Sequence, residues 1–273
     1  ADVPGVGAGV PVSGIAGDQQ AALFGQACFS PGMTKNTYGT GSFVLMNLGA
    51  DCPPPVPGLL TTVAWELAGG EVAYAYEGAV FTTGAAVQWL RDGLGVITEA
   101  AEAGPLAATV PDSDGVVLVP AFSGLGSPWW DPLARGAIFG ITRGTTRAHL
   151  ARAVIDAMAF QTRDVVTAMT DASGHTVTAL RADGGASAMH LLLQLQADQL
   201  RVPVARPAVQ ETTALGAAYL AGLAEGFWDS LDDVAENWSL DVEVAPDPDA
   251  AAAADAAYER WCDAVRRCRV TDG

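Results

Sequence analysis

Three glycine-containing turns set exposed backbone beside groups able to move a proton: Gly17-Asp18, Gly39-Thr40-Gly41 and Gly184-Gly185. Turns of this kind present amide N–H groups that bind phosphate oxygens. A single such turn carries little weight in a chain with 31 glycines. The set of three points to phosphate chemistry. Asp18 stands at the mouth of a helix with Gln19 and Gln20 behind it, where the helix N-terminus favours an ionised carboxylate; an aspartate that only caps the helix would occupy the same place. With phosphates over Gly39 to Gly41, Asp18 would accept the proton of an attacking hydroxyl, the base role in phosphoryl transfer. His149, His175 and His190 have no partner at ligand spacing, so no metal site is expected. A serine hydrolase is excluded by the absence of a Gly-x-Ser-x-Gly elbow at a strand–helix junction.

These groups need a scaffold, and the residue pattern supplies one. Gln20 to Cys28 reads as a short helix closed by Pro31-Gly32. Thr34 to Tyr38 and Ser42 to Leu48 read as strands joined tightly through Gly39-Thr40-Gly41. A second strand pair, Leu60 to Glu66 and Glu71 to Tyr76, turns at Gly69-Gly70, and a helix follows over Thr83 to Arg91. Pro53-Pro54-Pro55 reads as a surface loop. Gly115 to Pro120 has the character of a buried strand, and Gly124 to Asp131 is a loop carrying Trp129-Trp130 as an exposed pair. The longest helix is expected from Thr146 to about Ala172, with Leu150, Val154, Ile155, Met158, Val165 and Met169 at helical spacing. Then come a strand (Leu180 to Asp183), a helix (Ala188 to Leu200), a strand (Val202 to Arg206) and a helix (Thr212 to Glu225), the order of a layered α/β domain. Asp241 to Ala254 reads as an acidic linker before a closing helix at about Ala256 to Arg267.

Composition narrows the function classes. The 273 residues are 50% hydrophobic and 16% charged, a globular balance. Thirty-one acidic against 14 basic residues give a net charge of −17, which repels nucleic acid and anionic lipid. The apolar runs Leu191 to Leu195 and Ala214 to Ala224 are far shorter than the ~20 residues of a membrane span. Neither nucleic acid nor membrane is an expected partner. Lys35 is the only lysine, and Asp outnumbers Glu by 21 to 10, a bias that suits a salty cytoplasm and equally a GC-rich genome. Four cysteines without close spacing are expected as reduced thiols in the cytoplasm. The first residues, Ala-Asp-Val-Pro-Gly, carry no initiating Met, basic region or apolar run, so a fragment or processed chain without signal peptide is expected.

Five runs resemble the glycerol kinases of the FGGY carbohydrate kinase family: Gly17-Asp18-Gln19-Gln20-Ala21-Ala22-Leu23-Phe24-Gly25-Gln26, Lys35 to Phe43, Glu77 to Phe81, Ala121 to Gly126 and Thr212 to Leu223. The stretch from Gly136 through Gly140-Ile141 and His149-Leu150 to Asp156 is similar to the family's C-terminal signature. The resemblance implies an α/β fold, an actin/hexokinase-like (ribonuclease H-like) ATPase domain with a mixed sheet flanked by helices. It also implies that residues 1–273 are the C-terminal domain of a two-domain kinase, with a core at about 12–228, a linker and closing helix at 241–273, and the N-terminal domain outside this chain. Isolated, the chain would be inactive or nearly so.

By the same resemblance, ATP with Mg²⁺ would phosphorylate glycerol to glycerol 3-phosphate. Asp18 would be the general base, Gln19 would help hold glycerol, and Phe43 would lie on the carbon face of the triol. Thr40 would approach the transferring phosphate, Gly84 and Gln88 would border the nucleotide, and Gly185 would lie against adenosine. Met189 stands where the family usually has an Asn that contacts adenine; a thioether packs on a purine face without an amide's hydrogen bonds. Ala214 to Ala221 fit a close-packed interdomain hinge and equally an ordinary buried helix. The family's habit of forming dimers or tetramers suggests a homo-oligomer, with Trp129-Trp130 as one candidate interface. Two other readings stay open: an FGGY kinase for a pentulose or longer polyol, and a non-catalytic nucleotide-binding or interaction domain.

Overall fold

The computed structural model describes residues 9–270. Alternation in the strands decides the architecture. In β1 (Thr34–Tyr38), Thr34, Asn36 and Tyr38 point to one side and Lys35 and Thr37 to the other, and every one of them except Thr37 is buried. A strand buried on both faces must be covered by two layers of helices.

In chain order, α1 (Asp18–Gly25) precedes β1, β2 (Ser42–Gly49), β3 (Leu60–Glu66), β4 (Val72–Val80), α2 (Gly84–Asp92) and α3 (Ala103–Ala107). Then follow β5 (Val117–Val119), β6 (Ala137–Phe139), α4 (Arg147–Ser173), β7 (Leu180–Asp183), α5 (His190–Leu200) and β8 (Val204–Pro207). The chain closes with α6 (Thr212–Ala224), α7 (Leu231–Ala235), β9 (Leu240–Val244) and α8 (Ala251–Cys268). Seven strands form one mixed sheet in the order β3-β4-β2-β1-β7-β8-β9. β1, β7 and β8 run parallel, and the remaining neighbours are antiparallel. β5 and β6 pair separately.

One face buries Tyr38, Leu180 and Ala182 against Val154, Ile155 and Met158 of α4 and Leu192 and Leu193 of α5. The opposite face buries Leu45 and Ala75 against Leu23 and Phe24 of α1 and Tyr219 and Leu220 of α6. α4 owes its length to an uninterrupted apolar stripe and to both of its ends. Thr146 and His149 form a capping box, with the Thr146 amide donating to His149 Nδ1 at 3.0 Å, and Gly174 at φ +71° stops the helix. The eight-residue α1 crosses α6 with backbone almost touching backbone: a β-carbon on Gly216 would overlap the carbonyl oxygen of Ala21, and one on Gly25 would overlap that of Thr212.

Several expectations need correction. α1 ends at Gly25, ahead of Cys28, because Ala27 adopts φ +49° and Gln26 turns inward; Pro31-Gly32 belongs to the turn that leads into β1. A 3₁₀ turn occupies Gly185–Ala188, so α5 starts at His190. Residues 241–254 are not a linker: β9 pairs antiparallel with β8 and extends the sheet, and α8 begins at Ala251. The packed body therefore runs past 228 to α8, whose Trp261 and Val265 join Val117, Val119 and Phe160 in a third core. Trp129 is half-buried, while Trp130 keeps 40% exposure beside Phe81. The Pro53–Pro55 loop lies at the surface as expected. Among the described residues no helix is long and apolar enough to cross a membrane.

Asp164 of α4 anchors that third core. It accepts from Tyr258 Oη (2.5 Å), Trp261 Nε1 (2.8 Å) and Trp129 Nε1 (3.3 Å). Burial pushes its carboxyl up to about 6, with the three donors pulling the other way.

Two outcomes follow. Helix propensity alone would favour Gly216→Ala by about 1 kcal/mol, but overlap with the Ala21 carbonyl reverses the sign, and urea denaturation is expected to record a net loss of about 1–3 kcal/mol. Asp164 binds a proton more tightly folded than unfolded, so its contribution is complete below pH ~4 and is lost as pH rises through about 6. Denaturation across that window is expected to show ~3 kcal/mol of pH-dependent stability that Asp164→Asn abolishes; identical pH slopes in the two proteins would contradict this.

Candidate active site

Parallel β1 and β7 lie side by side, with Thr37 opposite Asp183. Both strands run directly into glycine turns, Gly39-Thr40-Gly41 after β1 and Gly184-Gly185 after β7. The crevice beyond the carboxyl ends of parallel strands is where open α/β sheets bind ligands. Gly184, at φ +81°, lies so close to the backbone of Tyr38, the last residue of β1, that a β-carbon there would overlap it.

The first turn is held rigidly. The amides of Thr83 and Ala85 donate to the Thr40 carbonyl at 3.0 and 2.9 Å, and that of Gly84 donates to Gly39 at 3.1 Å. The first amides of α2 are thereby satisfied by the turn. Among the described residues the amides of Thr40 and Gly41, at the tip, have no acceptor, which suits them to phosphate oxygens.

A cavity of about 900 Å³ opens beside these turns. Thr40, Gly84 and Gln88 line one side of it and Gly185 and Met189 another, so five residues selected from sequence share one space. A β-carbon on Gly185 would meet nothing within 4 Å, so that residue faces open cavity. Met189 lies against Gly104 of α3. The wall formed by Ala100, Ala101, Gly104, Pro105 and Ala108 is not evident from residue pattern, because short Ala/Gly/Pro segments carry no helical stripe.

Asp18, Gln19 and Phe43 sit on the α1 side of the sheet. Asp18 is exposed as the first residue of α1; its Oδ1 accepts from the Gln19 amide at 2.9 Å. Gln19 Nε2 donates to Asp18 Oδ2 at 3.4 Å, and Gln19 Oε1 accepts from Lys35 Nζ at 3.0 Å. Half-buried Phe43 stands opposite Thr37 across the hairpin, on the same face as Lys35. Since Thr37 and Phe43 are each three residues from Thr40, the patch and the cavity flank one hairpin tip.

Lys35, Thr37, Gln20 and Glu77 complete the patch and are not singled out by spacing alone. Lys35 is fully buried and donates to Thr37 Oγ1 at 2.9 Å. Burial brings its ammonium down to about 8, with Asp183 chief among the carboxylates that hold it up. Gln20 Nε2 donates to Glu77 Oε2 at 3.3 Å and to Thr62 Oγ1 at 3.2 Å; burial raises the Glu77 carboxyl. A signal existed for Lys35: it is the chain's sole lysine and lies in a strand-like run. Asp183 clamps the region from below, its Oδ2 accepting from Gln26 Nε2 (2.5 Å) and Thr212 Oγ1 (2.7 Å), which ties α1 and α6 to the end of β7. Among the described residues no cluster of three or more His, Cys, Asp or Glu could hold a metal ion.

Comparison with known proteins identifies the family. The family described as "FGGY family of carbohydrate kinases, C-terminal domain" matches residues 34–225. Glycerol kinase 2 of Thermotoga maritima is 57% identical over 261 residues, covering 96% of this chain and 52% of its own length. Glycerol kinase of Halobacterium salinarum is 55% identical over 262 residues, covering 96% and 51%. The chain thus spans about half the length of the curated relatives it matches. Among solved structures, Plasmodium falciparum glycerol kinase with ADP superposes at a TM-score of 0.86 with 35% identity, covering 93% of this chain and 51% of that one. Xylulose kinase from Lactobacillus acidophilus, 22% identical, shares the fold at a TM-score of 0.82 over 92% of this chain and 50% of its own. The sheet and helices are those of the actin/hexokinase-like kinases, and the chain belongs to the FGGY family of carbohydrate kinases, matching that family's C-terminal domain.

Proposed function

We propose that this chain is the C-terminal half of a cytoplasmic glycerol kinase, which transfers the γ-phosphoryl group of ATP to glycerol, with the opposite wall of the cleft supplied by an N-terminal domain. One observation carries the reading. An exposed carboxylate with a neighbouring amide and an aromatic face lies on one side of the Gly39–Gly41 hairpin, and a nucleotide-sized cavity lies on the other.

Gly185 and Met189 border the space for adenosine, and Met189 would hold the base by packing alone. The Thr40 and Gly41 amides would cradle the phosphates. With no acidic cage of its own among the described residues, the chain would receive Mg²⁺ as part of the substrate MgATP. Gln19 and Phe43 would orient glycerol, one by hydrogen bonding and the other against its carbon face. An Oδ atom of Asp18 would take the proton of the attacking hydroxyl as the new O–P bond forms and the bond from phosphorus to the ADP oxygen breaks. Closure of the two domains would exclude water, the competing acceptor. The identities of 57% and 55% to proteins named glycerol kinase favour glycerol over a pentulose or longer polyol.

In the complete enzyme, Asp18→Asn is expected to cut kcat by ~10²-fold or more while ADP binding by calorimetry stays within about twofold; undiminished turnover would remove Asp18 from the mechanism. Gly185→Val has room to fold, so its melting temperature is expected to stay within about 2 °C of the parent while its Kd for ADP rises by ~10-fold or more. Unchanged ADP affinity would place the nucleotide elsewhere.

A further inference from the structure

The amide of Gln19 has two faces, and the structure fixes which one meets Asp18. A primary amide can present either its oxygen or its NH₂ group to a neighbour, and only its partners decide. Here the partner on one side is an ammonium, which has three protons and no lone pair. Lys35 Nζ donates to Gln19 Oε1 at 3.0 Å, and the NH₂ group is left pointing to Asp18 Oδ2 at 3.4 Å. Thr37 Oγ1, at 2.9 Å, steadies the ammonium from its own strand.

We propose that Lys35 is a positioning residue for the transfer reaction: by donating to Oε1 it locks Gln19 with its NH₂ group toward Asp18 and the polyol, and so holds the Asp18 carboxylate ready to accept a proton.

The surroundings of Lys35 support this. A fully buried lysine is costly unless its charge is matched. From α1 it faces the carboxylate of Asp18, from β4 that of Glu77 and from β7 that of Asp183. Cys28 adds a thiol that burial pushes up to about 12 and therefore keeps neutral at ordinary pH. The neighbouring cation, Arg181, stands opposite Lys35 on β7 but donates to the Gln26 carbonyl and stacks over Trp238. Burial brings the Lys35 ammonium down to about 8, which leaves it largely charged at neutral pH. The chain's single lysine stands at a position where an apolar residue would bury at lower cost, and the one exposed end of the resulting network is Asp18.

The inference rests on the kinase reading above, and its test is separable from it. In the complete enzyme, Lys35→Met keeps the length of the side chain and removes the donor. Its kcat is expected to fall by ~10-fold or more with the KM for ATP within about twofold, and Lys35→Arg, which keeps a charged donor, should recover most of that loss. Adding Gln19→Leu to Lys35→Met should cost little beyond the worse single variant, because both break the same chain of contacts. Undiminished kcat in Lys35→Met, or losses that multiply in the double variant, would overturn the inference. No ATP-dependent phosphorylation of glycerol by the parent enzyme would instead overturn the kinase reading. Should Lys35→Met fail to fold, Gln19→Leu on the partly exposed helix end and Lys35→Arg carry the test: a fall of ~10-fold or more in the kcat of Gln19→Leu with Lys35→Arg close to the parent supports the network, and undiminished kcat in Gln19→Leu refutes it.

Discussion

A helix of eight residues has too few internal hydrogen bonds to hold itself in place, and α1, which carries Asp18 and Gln19, is such a helix. Its position comes from clamps. Gly25 and Gly216 let it approach α6 at a separation no side chain would permit, and Asp183 accepts from both Gln26 at its end and Thr212 at the start of α6. Asp183 is in turn the last residue of β7, immediately before the Gly184-Gly185 turn. One buried carboxylate thus links the helix bearing the proposed base to the turn proposed for adenosine. The rest of the site depends on this junction.

The second organising feature is a row of polar groups on a face that is otherwise core. On the α1 side, β7, β1 and β4 carry Arg181, Lys35 and Glu77 in one register, with the core residue Leu45 of β2 between Lys35 and Glu77. Two glutamines in succession, Gln19 and Gln20, descend onto Lys35 and Glu77 respectively. Each supplies hydrogen bonds that a buried ion requires, and each is held in one orientation as a result. The opposite face meets the same need differently: Asn36 donates to Thr162, and Tyr38 donates to Gln196, so β1 is pinned from both layers. The strand that leads into the Thr40 turn is therefore fixed before any ligand arrives, which is the preorganisation that phosphoryl transfer demands.

Much of this was legible in the residues. Both hairpins, α4 and β7 follow from period-2 and helical spacing with glycine punctuation, and they form nearly where that pattern puts them. The glycine turns marked two sides of the cavity for the same reason. What escaped is instructive. β9 reads as part of an acidic tail because an edge strand with one solvent-facing side carries charges, Asp241 and Glu243, where a buried strand would carry apolar residues. The wall from Ala100 to Ala108 hides behind low-contrast composition. Lys35 escapes because its role depends on a pairing with Gln19, 16 residues away and on another element, and spacing along the chain cannot reveal that. The apolar look of Trp129 misleads in the same way, since its indole N–H reaches Asp164, 35 residues on.

The central claim is geometric: a carboxylate at the start of α1 and the tip of the Gly39–Gly41 hairpin address the two ends of one reacting pair. The most direct measurement is a crystal structure of the proposed two-domain kinase with glycerol and a non-hydrolysable ATP analogue. The account predicts a terminal glycerol hydroxyl within ~2.6–3.2 Å of an Asp18 carboxylate oxygen, with the terminal phosphate against the Thr40 amide. Glycerol bound away from Asp18, or phosphates seated on another turn, would contradict it.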